Sequence, residues 1–170
     1  MSLDLLFFRL VHVLGGIFWL GAGVFSAVYL MPSLAAARVN PGPLFAELER
    51  RGYFVVLPVM AVLTMLSGVR LLAVTSGGFR AEYLGSAQGL AYAIGGVASV
   101  LAFLVAMFVG RPSNQRAGQL QGTLATLPSE HQAVARTEIA ALRRRGTVAT
   151  AVAILALVVS AGLMAIARYV

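Results

Sequence analysis

His12 is the side chain of this sequence best suited to chemistry, because it is a titratable group inside a long apolar stretch. Between Arg9 and Arg38 the only other titratable side chain is Tyr29. Imidazole nitrogens ligate haem iron and copper in proteins. His12 is therefore a candidate ligand of haem iron or copper. Polar groups in apolar helices also hydrogen-bond neighbouring helices, and this purely structural role stays open as the alternative.

A second polar group, Arg70, is expected at a similar depth to His12. It stands at the end of an apolar run, where a guanidinium can pair with a haem propionate or extend to the membrane surface. Further side chains expected at this level are Tyr83, Gln88, Tyr92 and Met164. Met164 is either a second metal ligand or an ordinary packing residue, since methionine fills gaps in helical bundles.

The rest of the sequence shows no catalytic motif. It lacks a phosphate-binding glycine loop, a nucleophile elbow and a pair of carboxylates within an apolar run. With no cysteine and only two histidines, it also has too few side chains for a zinc site of its own. These absences favour a protein that is not an enzyme, while an enzymatic role through His12 stays open.

The elements that must position these residues are four long apolar runs. Of the 170 residues, 59% are apolar and 11% are charged, whereas a soluble domain carries about a quarter charged residues. Each run approaches or exceeds the roughly 20 apolar residues that a helix needs to cross a bilayer. We predict an all-α protein, an integral membrane antiparallel four-helix bundle that forms one membrane domain over residues 1–170. The predicted spans are about 5–32, 53–74, 84–109 and 147–167.

The arginines predict the orientation of the chain. Nine of the thirteen follow the first or third span, and four lie on the other side (Arg9, Arg70, Arg80 and Arg168). Because positive charge is retained in the cytoplasm, both termini are predicted to be periplasmic in a bacterial inner membrane. The net charge of +7 does not indicate nucleic acid, since the arginines flank apolar runs.

The polar segment 111–145 is predicted to form a cytoplasmic helical hairpin between the third and fourth spans. Pro112 is expected to end the third span, because proline removes a backbone hydrogen bond and clashes with the preceding turn. Arg143, Arg144 and Arg145 close the segment, and we expect them to lie at the membrane surface and bind lipid phosphates. A face that binds a protein partner is the alternative for these arginines.

Small residues within the spans predict close helix packing, which replaces the hydrophobic drive that lipid removes. Gly21, Gly23 and Gly95 are the glycines expected at helix contacts. Trp19 is expected to be a packing residue rather than a stacking platform for a ligand. The sequence leaves open which of these faces meet within the chain and which meet a partner.

Two stretches of the first half resemble a known group of membrane proteins. His12-Val-Leu-Gly-Gly-Ile-Phe-Trp19-Leu-Gly21 resembles the first helix of the HemJ-type protoporphyrinogen oxidases and of the related copper-resistance D-like membrane proteins. Glu49-Arg50-Arg51-Gly52-Tyr53 is similar to the Glu-Arg-Arg-x-Tyr motif at the start of that family's second helix. The likeness continues through Pro58 and Gly68-Val-Arg70 with a one-residue slip, and it covers roughly residues 9–74.

The resemblance implies a helical membrane bundle and marks His12 as the position of the family's haem-associated histidine. That family also uses a lysine early in its third helix. This chain contains no lysine, and Gln88, the nearest polar residue there, carries no charge. The resemblance therefore implies the scaffold and the histidine position without implying protoporphyrinogen oxidation.

Three functions remain as hypotheses. We predict a non-catalytic accessory or structural transmembrane subunit of a larger membrane complex, for example a respiratory or photosynthetic electron-transfer complex. One alternative is a haem- or porphyrin-binding redox protein of the HemJ type, with haem b as the cofactor, and a second is a copper-handling membrane protein. The expected partners are the lipid bilayer and other membrane subunits, with no nucleic acid.

Overall fold

A computed structural model describes residues 3–170, and within that range the chain is helical with no β-strand. The α-helices are α1 (Leu3–Val24), α2 (Met31–Ala36), α3 (Gly42–Arg50), α4 (Tyr53–Thr75), α5 (Ala81–Leu84), α6 (Ala87–Val105), α7 (Arg111–Thr123) and α8 (Ser129–Ile166). Two π-helical turns, Phe25–Leu30 and Ala106–Gly110, join α1 to α2 and α6 to α7. Short 3₁₀ turns follow α7 and α8 (Leu124–Thr126 and Ala167–Tyr169).

Four continuous helices in residues 3–170 are long and apolar enough to cross a membrane. They run over Leu3–Ala36, Tyr53–Thr75, Ala87–Thr126 and Ser129–Tyr169. The prediction of an all-α chain with four such helices is confirmed. Two of them extend far beyond the roughly 30 Å hydrocarbon core of a bilayer, because 40 helical residues measure about 60 Å.

Both π-helical turns come just before a proline and have the same physical cause. Pro32 follows the first wide turn and Pro112 follows the second. A proline cannot donate to the carbonyl four residues back, and its ring clashes with that carbonyl. In the wide turns hydrogen bonds run five residues back, from Met31 to Ser26 and from Arg111 to Ala106, so the helix does not depend on the bond that proline lacks. The helix can then continue through each proline.

The expectation that Pro112 breaks the helix of the third span is wrong. Helix continues from Ala87 to Thr126, with Pro112 at the start of α7. Proline is tolerated in the first turn of a helix, and the wide turn in front of it supplies the local break in hydrogen bonding. The chain reverses later, where Leu127 is extended and Pro128 precedes α8.

All four long helices contribute to one buried cluster. Its buried members are Trp19 of α1, Ala61 of α4, Ala102 of α6, and Ala153 and Leu157 of α8. The Trp19 indole meets the Phe103 ring edge-on, with 6.3 Å between the ring centroids. Because three of these five residues are alanine, the helices approach closely around the single large indole.

α7 lies against the first half of α8. Arg143 donates to the Gln121 side chain at 3.2 Å, and Arg116 lies 3.7 Å from the Glu138 carboxylate. Nearer the apolar part, the Asn114 side chain is in close contact with Gly146.

Two lateral contacts hold the helices in pairs. The α1–α4 seam is the contact of His12 and Gly15 with Thr64 and Gly68. The α6–α8 seam is the contact of Gly95 with Ser160 and Met164, continued where Gly110 meets Ala149. In both seams a glycine on one helix makes room for a neighbour on the other.

The short helix α3 connects the first two long helices in chain order, and its Glu47 pairs with two arginines. The Glu47 carboxylate accepts from Arg50 Nε at 2.8 Å and from Arg51 Nε at 2.7 Å. These two guanidinium groups lower the pKa of Glu47 below its ordinary value. Gly52 then joins α3 to α4 with a φ of +76°, a left-handed conformation that favours glycine.

Candidate functional site

The imidazole of His12 is fixed by a hydrogen bond to the backbone of the second long helix. Its Nδ1 lies 2.8 Å from the carbonyl oxygen of Thr64. A carbonyl oxygen can only accept, so Nδ1 must carry the hydrogen and donate it. In the neutral ring, Nε2 is then the nitrogen with the free lone pair.

Gly68 leaves the space that the His12 ring occupies. A Cβ atom at Gly68 would lie 2.8 Å from Cε1 and 3.0 Å from Nδ1 of His12, closer than real side-chain contacts allow. One turn along α1, a Cβ at Gly15 would collide with the Thr64 hydroxyl. Both glycines therefore matter because they have no Cβ, since any side chain at either position would displace a polar group of the seam.

The buried hydroxyl groups of Thr64 and Ser67 are hydrogen-bonded to carbonyls of α4 itself. Ser67 Oγ lies 2.6 Å from the Leu63 carbonyl oxygen and 3.0 Å from that of Thr64. Thr64 Oγ1 donates to the carbonyl of Met60 at 2.8 Å. Among the described residues, no buried side-chain nitrogen or oxygen lacks a partner. The α1–α4 seam is thus a satisfied polar layer between apolar helices.

Arg70 lies further along the same seam. Its guanidinium lies 3.2 Å from the Asp4 carboxylate and 6.0 Å from the centre of the Phe8 ring. Asp4, Phe8 and His12 are four residues apart on α1, so they share one face of that helix. The structure therefore brings His12 and Arg70 to one seam, with Phe8 between their contacts. The arginine predicted to pair with a propionate is paired with an acid of this chain.

The remaining residues predicted at this level have their described contacts elsewhere. Met164 lies against Gly95, where its Cγ is 3.3 Å and its Cε is 3.4 Å from the position a Cβ would take. The carbonyl of Tyr83 accepts from the Ser86 hydroxyl at 2.6 Å, just before α6. For Gln88 and Tyr92, on the first turns of α6, no side-chain hydrogen bond is seen within residues 3–170. Met164 belongs to the α6–α8 seam, and His12 to the α1–α4 seam.

The predicted packing residues fall into two groups. Trp19 is buried, Gly95 faces the Ser160 carbonyl, and a Cβ at Gly23 would lie 3.9 Å from Ile154 Cγ1. Gly21 differs, since a Cβ there would meet nothing within 4 Å in the described chain. Of the predicted surface arginines, Arg143 contacts Gln121, and Arg144 and Arg145 are exposed.

The partners of His12 were not predicted from the sequence. Thr64 and Gly68 are four apart in the second run, and Gly15 is three residues after His12. Small residues at this spacing signal close helix packing. That signal exists at several places in the chain, and only the lateral register of α1 against α4 selects these three.

The donor set fits some metal groups and not others. Within residues 3–170 there is no group of three or more histidine, cysteine, aspartate or glutamate side chains that could hold a metal ion. A haem needs only one or two axial ligands from protein, and a histidine held through its other nitrogen is the usual arrangement for a metal-ligating imidazole. His12 could thus hold a haem iron, whereas a copper site would need further donors.

Comparisons with known proteins do not extend this picture. No family model, no curated protein and no solved structure matches the chain. The resemblance of residues 9–74 to the HemJ-type family stays a prediction.

Proposed function

We propose that this protein is a non-catalytic integral membrane subunit that packs against other membrane proteins in a larger complex. The observation that carries the proposal is a set of outward glycines. A Cβ at Gly21, Gly96 or Gly162 would meet nothing within 4 Å. These glycines lie in three of the four long helices. Glycine in such a position lets a neighbouring helix approach closely, and this chain leaves all three places open.

The surroundings of Gly21 suit a helix partner. Ile17, Gly21, Phe25 and Val28 follow each other at helical spacing on α1 and the wide turn after it, and the three large residues are more than half exposed. Around Gly162, Leu155, Val158 and Ile166 form a similar face on α8. In a membrane these faces are covered either by lipid or by another protein. A glycine flanked by large apolar side chains favours a helix partner, because side chains of one helix fit beside the glycine of the other.

For the topology we propose an antiparallel bundle whose α7 and early α8 form a hairpin in the cytoplasm. The contacts of Asn114 with Gly146 and of Gln121 with Arg143 support the hairpin. The excess of arginines after the first and third long helices supports periplasmic termini in a bacterial inner membrane.

Single cysteines test this topology cleanly, because the natural chain has none. Thr126→Cys lies at the turn between α7 and α8, and Val170→Cys lies at the C-terminus. In spheroplasts, a membrane-impermeant maleimide should label Val170→Cys at once and Thr126→Cys only after permeabilisation. The reverse pattern would invert the proposed orientation.

The subunit proposal is tested by gentle purification from the native membrane, followed by mass spectrometry of what remains bound. We expect partner subunits in fixed ratio to the wild-type chain. Gly21→Leu and Gly162→Leu should release them, since a leucine fills the space that the partner needs. Ile17→Leu is a matched control that keeps a large side chain large. A wild-type chain that leaves its native membrane as a free monomer would refute the proposal. The absorption spectrum of an intact complex would show whether it is an electron-transfer complex.

The geometry of His12 favours a second candidate function, the binding of haem or a related porphyrin. Nδ1 is fixed by Thr64, which leaves Nε2 as the nitrogen that could hold a haem iron. A bound haem would supply the redox chemistry. The chain would hold the iron through His12, and Arg70 could exchange Asp4 for a propionate.

Absorption spectroscopy of purified protein supplied with haem tests this second function. We expect a Soret band that disappears in His12→Ala and weakens in Arg70→Gln. A protein that stays colourless excludes haem binding. If such a colourless protein binds copper and His12→Ala abolishes the binding, the copper-handling alternative gains support.

A further inference from the structure

A groove between the third and fourth long helices combines apolar walls with two arginines. It has a volume of about 510 Å³, within the roughly 300–1,000 Å³ of typical ligand sites. Val105 and Val109 line it from one side, and Val148 and Val152 line it from α8. Arg144 and Arg145 stand at one end. One end of the groove is therefore cationic, and the rest is apolar.

The two arginines keep their charge available. Within residues 3–170, no carboxylate pairs with either guanidinium. Glu138, the nearest acid before them on α8, lies 3.7 Å from Arg116 of α7. Arg143, their neighbour, is turned to Gln121. Unpaired cations next to an apolar groove attract a ligand that carries a negative charge on an apolar body.

The position of the groove matches the boundary between headgroups and hydrocarbon. From Gly146 to Ala167 the chain has no charged residue, so Arg144 and Arg145 stand where α8 enters its apolar part. Val152 lies seven residues beyond Arg145, a distance of about 10 Å along a helix. This separation lets a phosphate meet the arginines while an attached hydrocarbon chain lies along the valines.

We infer that this groove binds one anionic phospholipid, with its phosphate between Arg144 and Arg145 and an acyl chain along the valine walls. Basic pockets between transmembrane helices bind anionic headgroups by the same physics. The wide turn Ala106–Gly110 forms part of the wall through Val109. The inference is independent of the subunit proposal, because a free monomer would still retain the lipid.

The test is native mass spectrometry of the full chain in detergent, titrated with phosphatidylglycerol or with phosphatidylcholine. The wild-type protein should retain one phosphatidylglycerol molecule in preference to phosphatidylcholine. Arg144→Gln with Arg145→Gln should weaken that binding about 30-fold, from about 1 kcal/mol for each arginine near an anionic surface. Arg136→Gln with Arg143→Gln removes the same charge from the same helix outside the groove, and it should change binding less than about threefold.

Two further variants separate the charge from the groove. Arg144→Lys with Arg145→Lys keeps the charge and should restore most of the binding. Val148→Phe keeps both arginines and fills the groove, and it should also weaken binding. Circular dichroism of each variant shows whether its helices are intact, and only folded variants are compared.

Several outcomes would overturn the inference. One is equal weakening by the two arginine pairs, which would indicate a diffuse basic surface. Another is undiminished binding in a folded Val148→Phe protein, or displacement of the lipid by millimolar inorganic phosphate, which would indicate a phosphate contact alone. A third is a wild-type chain that retains no lipid and carries a partner helix in the groove.

Discussion

The α1–α4 seam and the α6–α8 seam both depend on glycine, but they differ in what occupies the space. In the α1–α4 seam, Gly68 faces an imidazole that is hydrogen-bonded to a carbonyl. In the α6–α8 seam, Gly95 faces the Ser160 carbonyl and the thioether chain of Met164. A hydrogen-bonded ring has one allowed position, whereas a methionine has three rotatable bonds and can repack. The α1–α4 seam is therefore directional, in that its imidazole has one allowed position. The α6–α8 seam is adaptable, in that its methionine side chain can take other conformations.

Filling the polar seam should have the largest effect on stability. Gly15→Leu puts a side chain where the Thr64 hydroxyl lies. We expect a loss of about 3 kcal/mol, because overpacking without room to relax costs this much. Unfolding in mixed detergent micelles, followed by circular dichroism, measures it. Gly21→Leu, on the open face of the same helix, is the control and should change stability little.

The same experiment on the adaptable seam should give a smaller effect. Gly95→Leu meets Met164, which can move, and the Ser160 carbonyl at 3.2 Å, which cannot. We expect a loss of about 1–2 kcal/mol. Gly96→Leu is the adjacent control, with no atom within 4 Å. If Gly95→Leu destabilises the protein as much as Gly15→Leu, the two seams do not differ in the way proposed.

Removing the imidazole tests how much its hydrogen bond contributes. His12→Ala deletes the donor to the Thr64 carbonyl, which lies inside α4 and keeps its helical N–H partner. Since the acceptor keeps another partner, we expect a loss of only about 1 kcal/mol. The unfolding assay measures this loss. A loss well above that figure would mean that His12 is chiefly a structural residue of the seam.

The ion pair at the end of the polar seam should matter less. Asp4 and Arg70 are each about half exposed, with side-chain exposures of 53% and 48%. An exposed pair of this kind contributes about 0.5 kcal/mol. A double-mutant cycle of Asp4→Asn and Arg70→Gln measures the coupling in low salt, and 0.5 M salt should abolish it. Coupling that persists at high salt would contradict a solvent-exposed pair.

The smallest effect is expected outside both seams, at Glu47. Its pKa is lowered in the folded protein by Arg50 and Arg51, so its contribution is present at neutral pH. That contribution is lost as the pH falls through the lowered pKa, below the ordinary value of 4.5. Glu47→Gln should therefore shift the thermal midpoint slightly at pH 7 and less at a pH below the lowered pKa. A shift of equal size at both pH values would exclude the ion pair as its cause.

The sequence was informative about the spans and uninformative about the seams. Length and apolarity alone indicate helices that can cross a membrane, because both are properties of a continuous segment. The partner of His12 is a backbone carbonyl, and every residue has one, so residue type cannot single out Thr64. The role of Gly68 depends on which face of α4 meets α1, which is a property of two segments together.

Proline shows the same contrast within a single helix. The effect of Pro112 on its own hydrogen bond is predictable, since its nitrogen has no hydrogen. Whether the helix ends or widens depends on how well the following residues pack. Here α7 continues because Asn114 and Arg116 reach Gly146 and Glu138 of α8. Those tertiary contacts are not visible in a local pattern.

The two wide turns also change the helical phase of the chain. A π-helical turn accommodates one more residue than an α-helical turn, so everything after it is rotated by about 100° around the helix axis. A single helical wheel drawn through residues 87–126 therefore assigns the wrong face to Asn114 and Arg116. Deleting one residue from 106–110 together with Pro112→Ala would give an uninterrupted α-helix that keeps both side chains toward α8, whereas Pro112→Ala with a turn that closes to α-helical geometry would rotate them away by about 100°. Relatives that lack the proline are expected to be one residue shorter at the same place.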